Sequence, residues 1–352
     1  MASLLTKRYE PTHMDIVYET IGFAAKGFIV FATIAATALV VFGLSRRRRG
    51  SGGSAQLNVR KLNARFEALG DALRSSVFDK KQFKALMKER KAAAKPEAHA
   101  KKPSVYVLDF NGDILASGVK SLREEVTAIA AAGTAEDEVV IRLESPGGAV
   151  PHYGLAAAQL MRLREKKIKV TVCIDRVAAS GGYMMACIAD NIVAAPFAII
   201  GSIGVVAQVP NVHRLLKKHD VDFEEMTAGE FKRTVSIFGE ITEKGRRKFQ
   251  DQLEDTHALF KQFVKSQRPK LDIDKIATGE YWLAMRAVEL GLVDQISTSD
   301  DYLVRRAAAA NVYRVNFVPE TSWREKVSRG AAATVDHMVI TLLSRVMALT
   351  RQ

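Results

Sequence analysis

Hydrophobic and polar positions divide the chain into three regimes. Residues 27–44 are 18 uncharged, mostly apolar positions, and the run extends back past Lys26 to Ile21. That length crosses a bilayer, and the lysine stem can reach the interface, so residues 21–45 are predicted as a transmembrane helix. Between residues 57 and 94, apolar side chains recur at Leu62, Phe66, Leu69 and Leu73, then at Phe83, Leu86 and Met87, among many lysines. This spacing predicts helix. Beyond Ser104 the period keeps switching. Short apolar runs of strand length at 105–110, 139–143, 170–174 and 191–196 are separated by helical patterns at 122–132, 153–166 and 183–188. Such alternation predicts an α/β domain built on right-handed crossovers. Residues 222–226 read as one more strand, and helices are expected at 212–218, 242–267 and 281–290, the last closed by Gly291. A final amphipathic pattern at 335–349 suits a membrane surface, a partner or the core.

Five segments follow: a tail at 1–20, the transmembrane helix at 21–45, a basic juxtamembrane helical segment and linker at 46–103, the α/β domain at 104–318, and an amphipathic tail at 319–352. The chain carries a formal charge of +13, which suggests nucleic acid until it is located. Residues 46–102 hold 17 Lys/Arg against 5 Asp/Glu, beside the predicted anchor and without an interleaved aromatic platform on which bases could stack. Membrane lipid is therefore the expected partner, with a neighbouring helix or plain solvation as alternatives, and nucleic acid is not expected. Arg46 to Arg49 follow the apolar run instead of preceding it, which argues against a cleaved signal peptide. By the positive-inside rule these arginines put the C-terminal side in the cytoplasm. Cys173 and Cys187 fall in apolar runs with no CxxC, no HExxH motif is present, and no P-loop occurs. Neither metal nor cofactor is expected.

One stretch stands out chemically. Val177-Ala178-Ala179-Ser180-Gly181-Gly182-Tyr183-Met184-Met185-Ala186 puts a serine on a small-residue hinge between a predicted buried strand and helix. Ser180 there is either a helix cap or a nucleophile facing the first helical amides, which can receive an oxyanion. A nucleophile needs a base. His152 follows the turn Ser145-Pro146-Gly147-Gly148, but a triad in that order lacks the G-x-S-x-G elbow. Lys232 lies in a glycine-containing loop before a long helix, and a lysine of lowered pKa can serve instead.

Four ordered motifs carry a resemblance: Ser145-Pro146-Gly147-Gly148, Val177-Ala178-Ala179-Ser180-Gly181-Gly182-Tyr183, Gly201-Ser202-Ile203-Gly204 and Thr227-Ala228-Gly229-Glu230-Phe231-Lys232-Arg233. Over residues 104–297 the chain resembles the signal peptide peptidase A family, and its N-terminal anchor resembles the SohB-like branch. The resemblance implies a ClpP/crotonase-like domain of repeated β-β-α units. It implies Ser180 as nucleophile, Lys232 as general base, Ser202 as the residue orienting that lysine, and an oxyanion hole from Gly181 with Gly147 or Gly148. It also implies a homo-oligomeric ring with sites shared between protomers, apolar peptide substrates such as signal-peptide remnants, and the bacterial inner membrane. The family is commonly placed on the outer face of that membrane, against the charge pattern, so the side stays open. A catalytically silent scaffold of the same fold, or an acyl-CoA enzyme, would not require Lys232.

Overall fold

The computed structural model describes residues 56–93 and 102–319, which belong to one compact unit, Gln56–Pro319. The predicted transmembrane helix and both terminal tails lie outside the described residues. Among the described residues no helix is long and apolar enough to cross a membrane.

In chain order the elements are β1 (Gln56–Lys61), α1 (Asn63–Val77), α2 (Lys80–Ala93), β2 (Ser104–Asn111), α3 (Val119–Ala132), β3 (Glu138–Glu144), α4 (Val150–Glu165), β4 (Lys169–Ile174), β5 (Val177–Ala179) and α5 (Gly181–Ala186). There follow β6 (Asn191–Ala194), β7 (Ile199–Gly201), α6 (His213–Lys218), α7 (Glu243–Gln267), α8 (Ile273–Ile276), β8 (Tyr281–Leu283), α9 (Ala284–Glu289), β9 (Gln295–Ile296), α10 (Ser299–Ala309) and β10 (Asn311–Val318). This is a mixed α/β fold. A seven-stranded sheet runs β1-β10-β2-β3-β4-β6-β9, parallel except for β1, and a small sheet runs β5-β7-β8. Parallel strands are covered on both faces, which is why β2 to β4 are nearly continuous apolar runs. Leu108, Phe110, Ile141 and Val172 belong to the core cluster that includes residues of α3, α4 and α5. Val105, Val107, Val140 and Cys173 belong to a second cluster with Leu62 and with Tyr302 and Leu303 of α10.

Four elements differ from expectation. The helix predicted from residue 57 begins instead with β1, which pairs antiparallel with β10 from Gln56↔Val318 to Lys61↔Tyr313. Its alternation rests on Leu57 and Val59 alone, too few positions to outweigh the helical spacing that follows. Asn63 secures the join: its amide donates to the carbonyls of Ala307 and Ala310, and its carbonyl oxygen accepts from the Val312 amide at 2.8 Å. Residues 281–283, predicted helical, form β8 against β7, and the helix starts only at Ala284. Residues 222–226 are irregular, and α10, capped by the Thr298 hydroxyl, is an element the periodicity did not reveal.

Both cysteines lie within these clusters, Cys173 at 1% exposure and Cys187 at 0%. Burial, which disfavours a thiolate, pushes the Cys173 thiol up strongly and the Cys187 thiol up to about 12. Neither should react with Ellman's reagent in the native protein at pH 8, and both should react in denaturant. A native titre of one or more thiols would contradict this packing.

Candidate active site

Ser180 is held by backbone on both sides. The Ser145 amide donates to the Val177 carbonyl at 2.9 Å, the Ala179 amide to the Ser145 carbonyl at 3.0 Å, and the Ser180 amide to the Gly201 carbonyl at 2.8 Å. The α5 ladder then begins with the Met184 amide donating to the Ser180 carbonyl at 3.0 Å. Between these restraints Ser180 adopts φ 51°, ψ −119°. L-residues rarely visit this region, at a cost of about 1–3 kcal/mol, and the surrounding bonds maintain it. Ser180 stands at the cap position of α5, yet its side chain makes no capping bond. The strained turn therefore holds the hydroxyl out instead of folding it back onto the helix.

The hydroxyl faces a cleft of about 770 Å³, whose lining includes Gly147, Gly148, Ser202 and His257 together with Ile114, Val150, Val205 and Val206. Gly147 has φ 93°, and a Cβ there would sit 2.7 Å from the Ser180 Cβ and 2.8 Å from the Gly181 nitrogen. Only glycine lets this turn lie so close to the serine. A Cβ on Gly181 would run into the ring of Tyr153. The nearby amides are not equivalent. Gly147 N–H donates to Ser145 Oγ at 3.1 Å, whereas the Gly148 and Gly181 amides enter no hydrogen bond among the described residues. Ser202, at φ 51°, is fixed by its amide on the Glu280 carbonyl at 2.7 Å, and its hydroxyl donates to the Gly279 carbonyl at 3.3 Å.

Within one chain, then, Ser180, Ser202, Gly147, Gly148 and Gly181 come together. Lys232 does not join them. It lies exposed in the loop before α7, is not among the residues lining the cleft, and its side chain makes no hydrogen bond or ion pair among the described residues. Its turn is nevertheless tethered: Glu230 pairs with Lys244 of α7, and the ammonium groups of Lys244 and Lys248 lie 5.7 and 5.4 Å from the centre of the Phe231 ring. His152 is exposed in the first turn of α4, outside the cleft.

Sequence reasoning missed His257. Its Nε2 lies 3.2 Å from the Ile203 carbonyl, which can only accept, so that nitrogen carries the proton. The spacing of His257 with buried Phe260 and Val264 along α7 was the available sign of an inward face. Thr278 also lines the cleft, and no pattern announces it. A second cleft, about 220 Å³, lies where β2, β3, β4 and β10 present Asp109, Arg142, Cys173 and Arg314. Its Asp109 carboxylate is already matched, accepting from Arg142 at 2.6 Å and from Arg314 at 2.7 Å, and burial disfavours the thiolate of Cys173. Among the described residues no group of His, Cys, Asp or Glu is placed to hold a metal ion.

A family model described as Peptidase family S49 matches residues 162–313, and one described as Peptidase family S49 N-terminal matches residues 15–160. The chain is 60% identical over 248 residues to a probable protease SohB of Haemophilus influenzae, covering 70% of each chain. It is 44% identical over 307 residues to a probable protease SohB of Buchnera aphidicola subsp. Schlechtendalia chinensis, covering 83% of this chain and 100% of that one. The chain belongs to peptidase family S49. In this S49 chain the two matched parts meet inside α4, so the cleft is a joint product: the N-terminal part supplies Gly147 and Gly148, the C-terminal part Ser180 and Ser202.

Proposed function

We propose that this S49 peptidase is a membrane-anchored serine endopeptidase in which Ser180 attacks the peptide carbonyl and Lys232 of a neighbouring copy acts as base. The observation that carries the reading is the strained Ser180, its hydroxyl free of any capping bond, beside the Gly148 and Gly181 amides, which have no hydrogen-bond partner among the described residues. A neutral Lys232 amine takes the hydroxyl proton as Oγ bonds to the carbonyl carbon. The resulting oxyanion accepts from Gly148 and Gly181 N–H, and collapse expels the amine, which takes its proton from the Lys232 ammonium. Water then repeats the sequence on the acyl-enzyme and frees Ser180. Ser202, at the cleft wall, orients the incoming lysine.

Lys232 reaching across a subunit boundary accounts for its absence from its own cleft, and supports a homo-oligomeric ring of ClpP/crotonase-like domains. Ile114, Val150 and Val206 line the cleft and remain exposed, at 73%, 39% and 81%, a wall suited to apolar peptides such as signal-peptide remnants or membrane-protein fragments. The apolar run at 21–45 and the basic segment after it support anchoring in the bacterial inner membrane against anionic lipid, with the charge pattern favouring a cytoplasmic catalytic domain.

A fluorophosphonate probe tests the nucleophile. Labelling of the full chain, mapped by mass spectrometry, should fall on Ser180 alone among the serines and disappear in Lys232→Ala protein. Labelling spread over several serines, or none, would refute the assignment.

A further inference from the structure

Behind the cleft wall runs a buried polar chain that the proposed reaction does not itself use. Ser145 and Tyr153 are both 0% exposed. Ser145 Oγ lies 2.6 Å from Tyr153 OH, and Tyr153 OH donates to the Asp113 carbonyl at 2.8 Å. A phenol has one proton, and here it is committed to the carbonyl. Ser145 must therefore donate to Tyr153, which leaves the Ser145 lone pairs to accept the Gly147 amide at 3.1 Å. The order is fixed from end to end: Gly147 N–H to Ser145 Oγ–H to Tyr153 O–H to the carbonyl of Asp113.

Two members of this chain border the nucleophile's turn. Gly147 lies against Ser180, and the Tyr153 ring fills the space a Gly181 side chain would need. We infer that Ser145 and Tyr153 are positioning residues for the oxyanion hole. They draw the Gly147 amide inward and so present the next one, Gly148, to the anion, while the Tyr153 ring supports Gly181 from behind. Left free, the Gly147 amide would compete for the same space, and the turn could rotate. Burial of the Gly147–Ser145 and Ser145–Tyr153 bonds makes them costly to break, and the restraint correspondingly stiff. Neither side chain touches the substrate, so their effect is exerted through the two amides.

The inference rests on the Ser180 reading, and the test keeps the two apart. In full-length protein, Ser145→Ala and Tyr153→Phe should each lower kcat for an apolar peptide about tenfold to a hundredfold, less than outright removal of an oxyanion donor, and leave KM within about twofold. The double variant should be little worse than either single one, since both cut the same chain of bonds. Hydrogen exchange across residues 145–149 should quicken in parallel. Tyr153→Phe keeps the ring under Gly181, so it decides the matter should Ser145→Ala fold poorly. Unchanged kcat in Tyr153→Phe, or a loss confined to KM, would overturn the inference while Ser180→Ala remained inactive. Ser180→Ala protein as active as the parent would instead overturn the serine mechanism, and this inference with it.

Discussion

Ser180→Ala and Lys232→Ala proteins should each lose peptide hydrolysis by about 10⁴-fold or more, and mixing equal amounts under conditions of subunit exchange should restore about a quarter of parental activity. The first half follows from the proposed division of labour, in which Ser180 is the nucleophile and Lys232 accepts its proton. The second half follows from geometry. Ser180 opens on a cleft that its own Lys232 does not line, while the loop carrying Lys232 is tethered to α7 through Glu230 and Phe231. If the amine comes from the next copy, a working site needs an intact Ser180 on one protomer and an intact Lys232 on its neighbour. Each holds with a chance of one half, so about one site in four revives. If instead the loop folds back onto its own cleft, every site in the mixture lacks one partner and activity stays at the background. Lys232→Arg should be as dead as Lys232→Ala, because a guanidinium stays protonated and cannot take the hydroxyl proton.

Much of this site could be read from the sequence, for particular physical reasons. Ser180 stood out because a hydroxyl between small residues and paired glycines, at the junction of two apolar runs, is either a helix cap or a nucleophile, and three further ordered motifs accompany it. The strands of the large sheet were legible because burial on both faces leaves uninterrupted apolar runs. β1 was not, since two alternating positions cannot compete with the longer helical spacing behind them. β8 was not either: Tyr281, Trp282 and Leu283 are equally apolar in either geometry, and their pairing with β7 is a tertiary choice. The separation of Lys232 from its own Ser180 cleft has no signature in residue spacing; the expectation that sites are shared between protomers came only from the family resemblance. His257 and Tyr153 escaped for another reason. Each sits on a helix face whose spacing is that of ordinary core packing, and only the partners they meet, the Ile203 carbonyl and Ser145, set them apart.

Gly147→Ala should both destabilise the fold and abolish turnover, whereas Gly154→Ala should do neither. At Gly147 the backbone has φ 93°, and an alanine there costs about 1–3 kcal/mol in strain. Its methyl would also press on the Ser180 Cβ at 2.7 Å and the Ala179 carbonyl at 2.8 Å, and such overpacking typically costs about another 1–3 kcal/mol. Urea unfolding should therefore show a loss of about 2–6 kcal/mol. The functional loss should be larger than instability explains, because the same methyl would lie 2.8 Å from the Gly181 nitrogen, one of the proposed oxyanion donors. At concentrations of denaturant and temperatures where the variant is still folded, kcat should fall by about a hundredfold or more. Gly154 lies on α4, and a methyl group there would meet nothing within 4 Å; alanine should raise stability by about 0.5–1 kcal/mol through helix propensity and leave kcat alone. A Gly147→Ala protein that loses stability yet turns over peptide at the parental rate would mean that the turn at 146–148 serves only the backbone, and that the anion is received elsewhere.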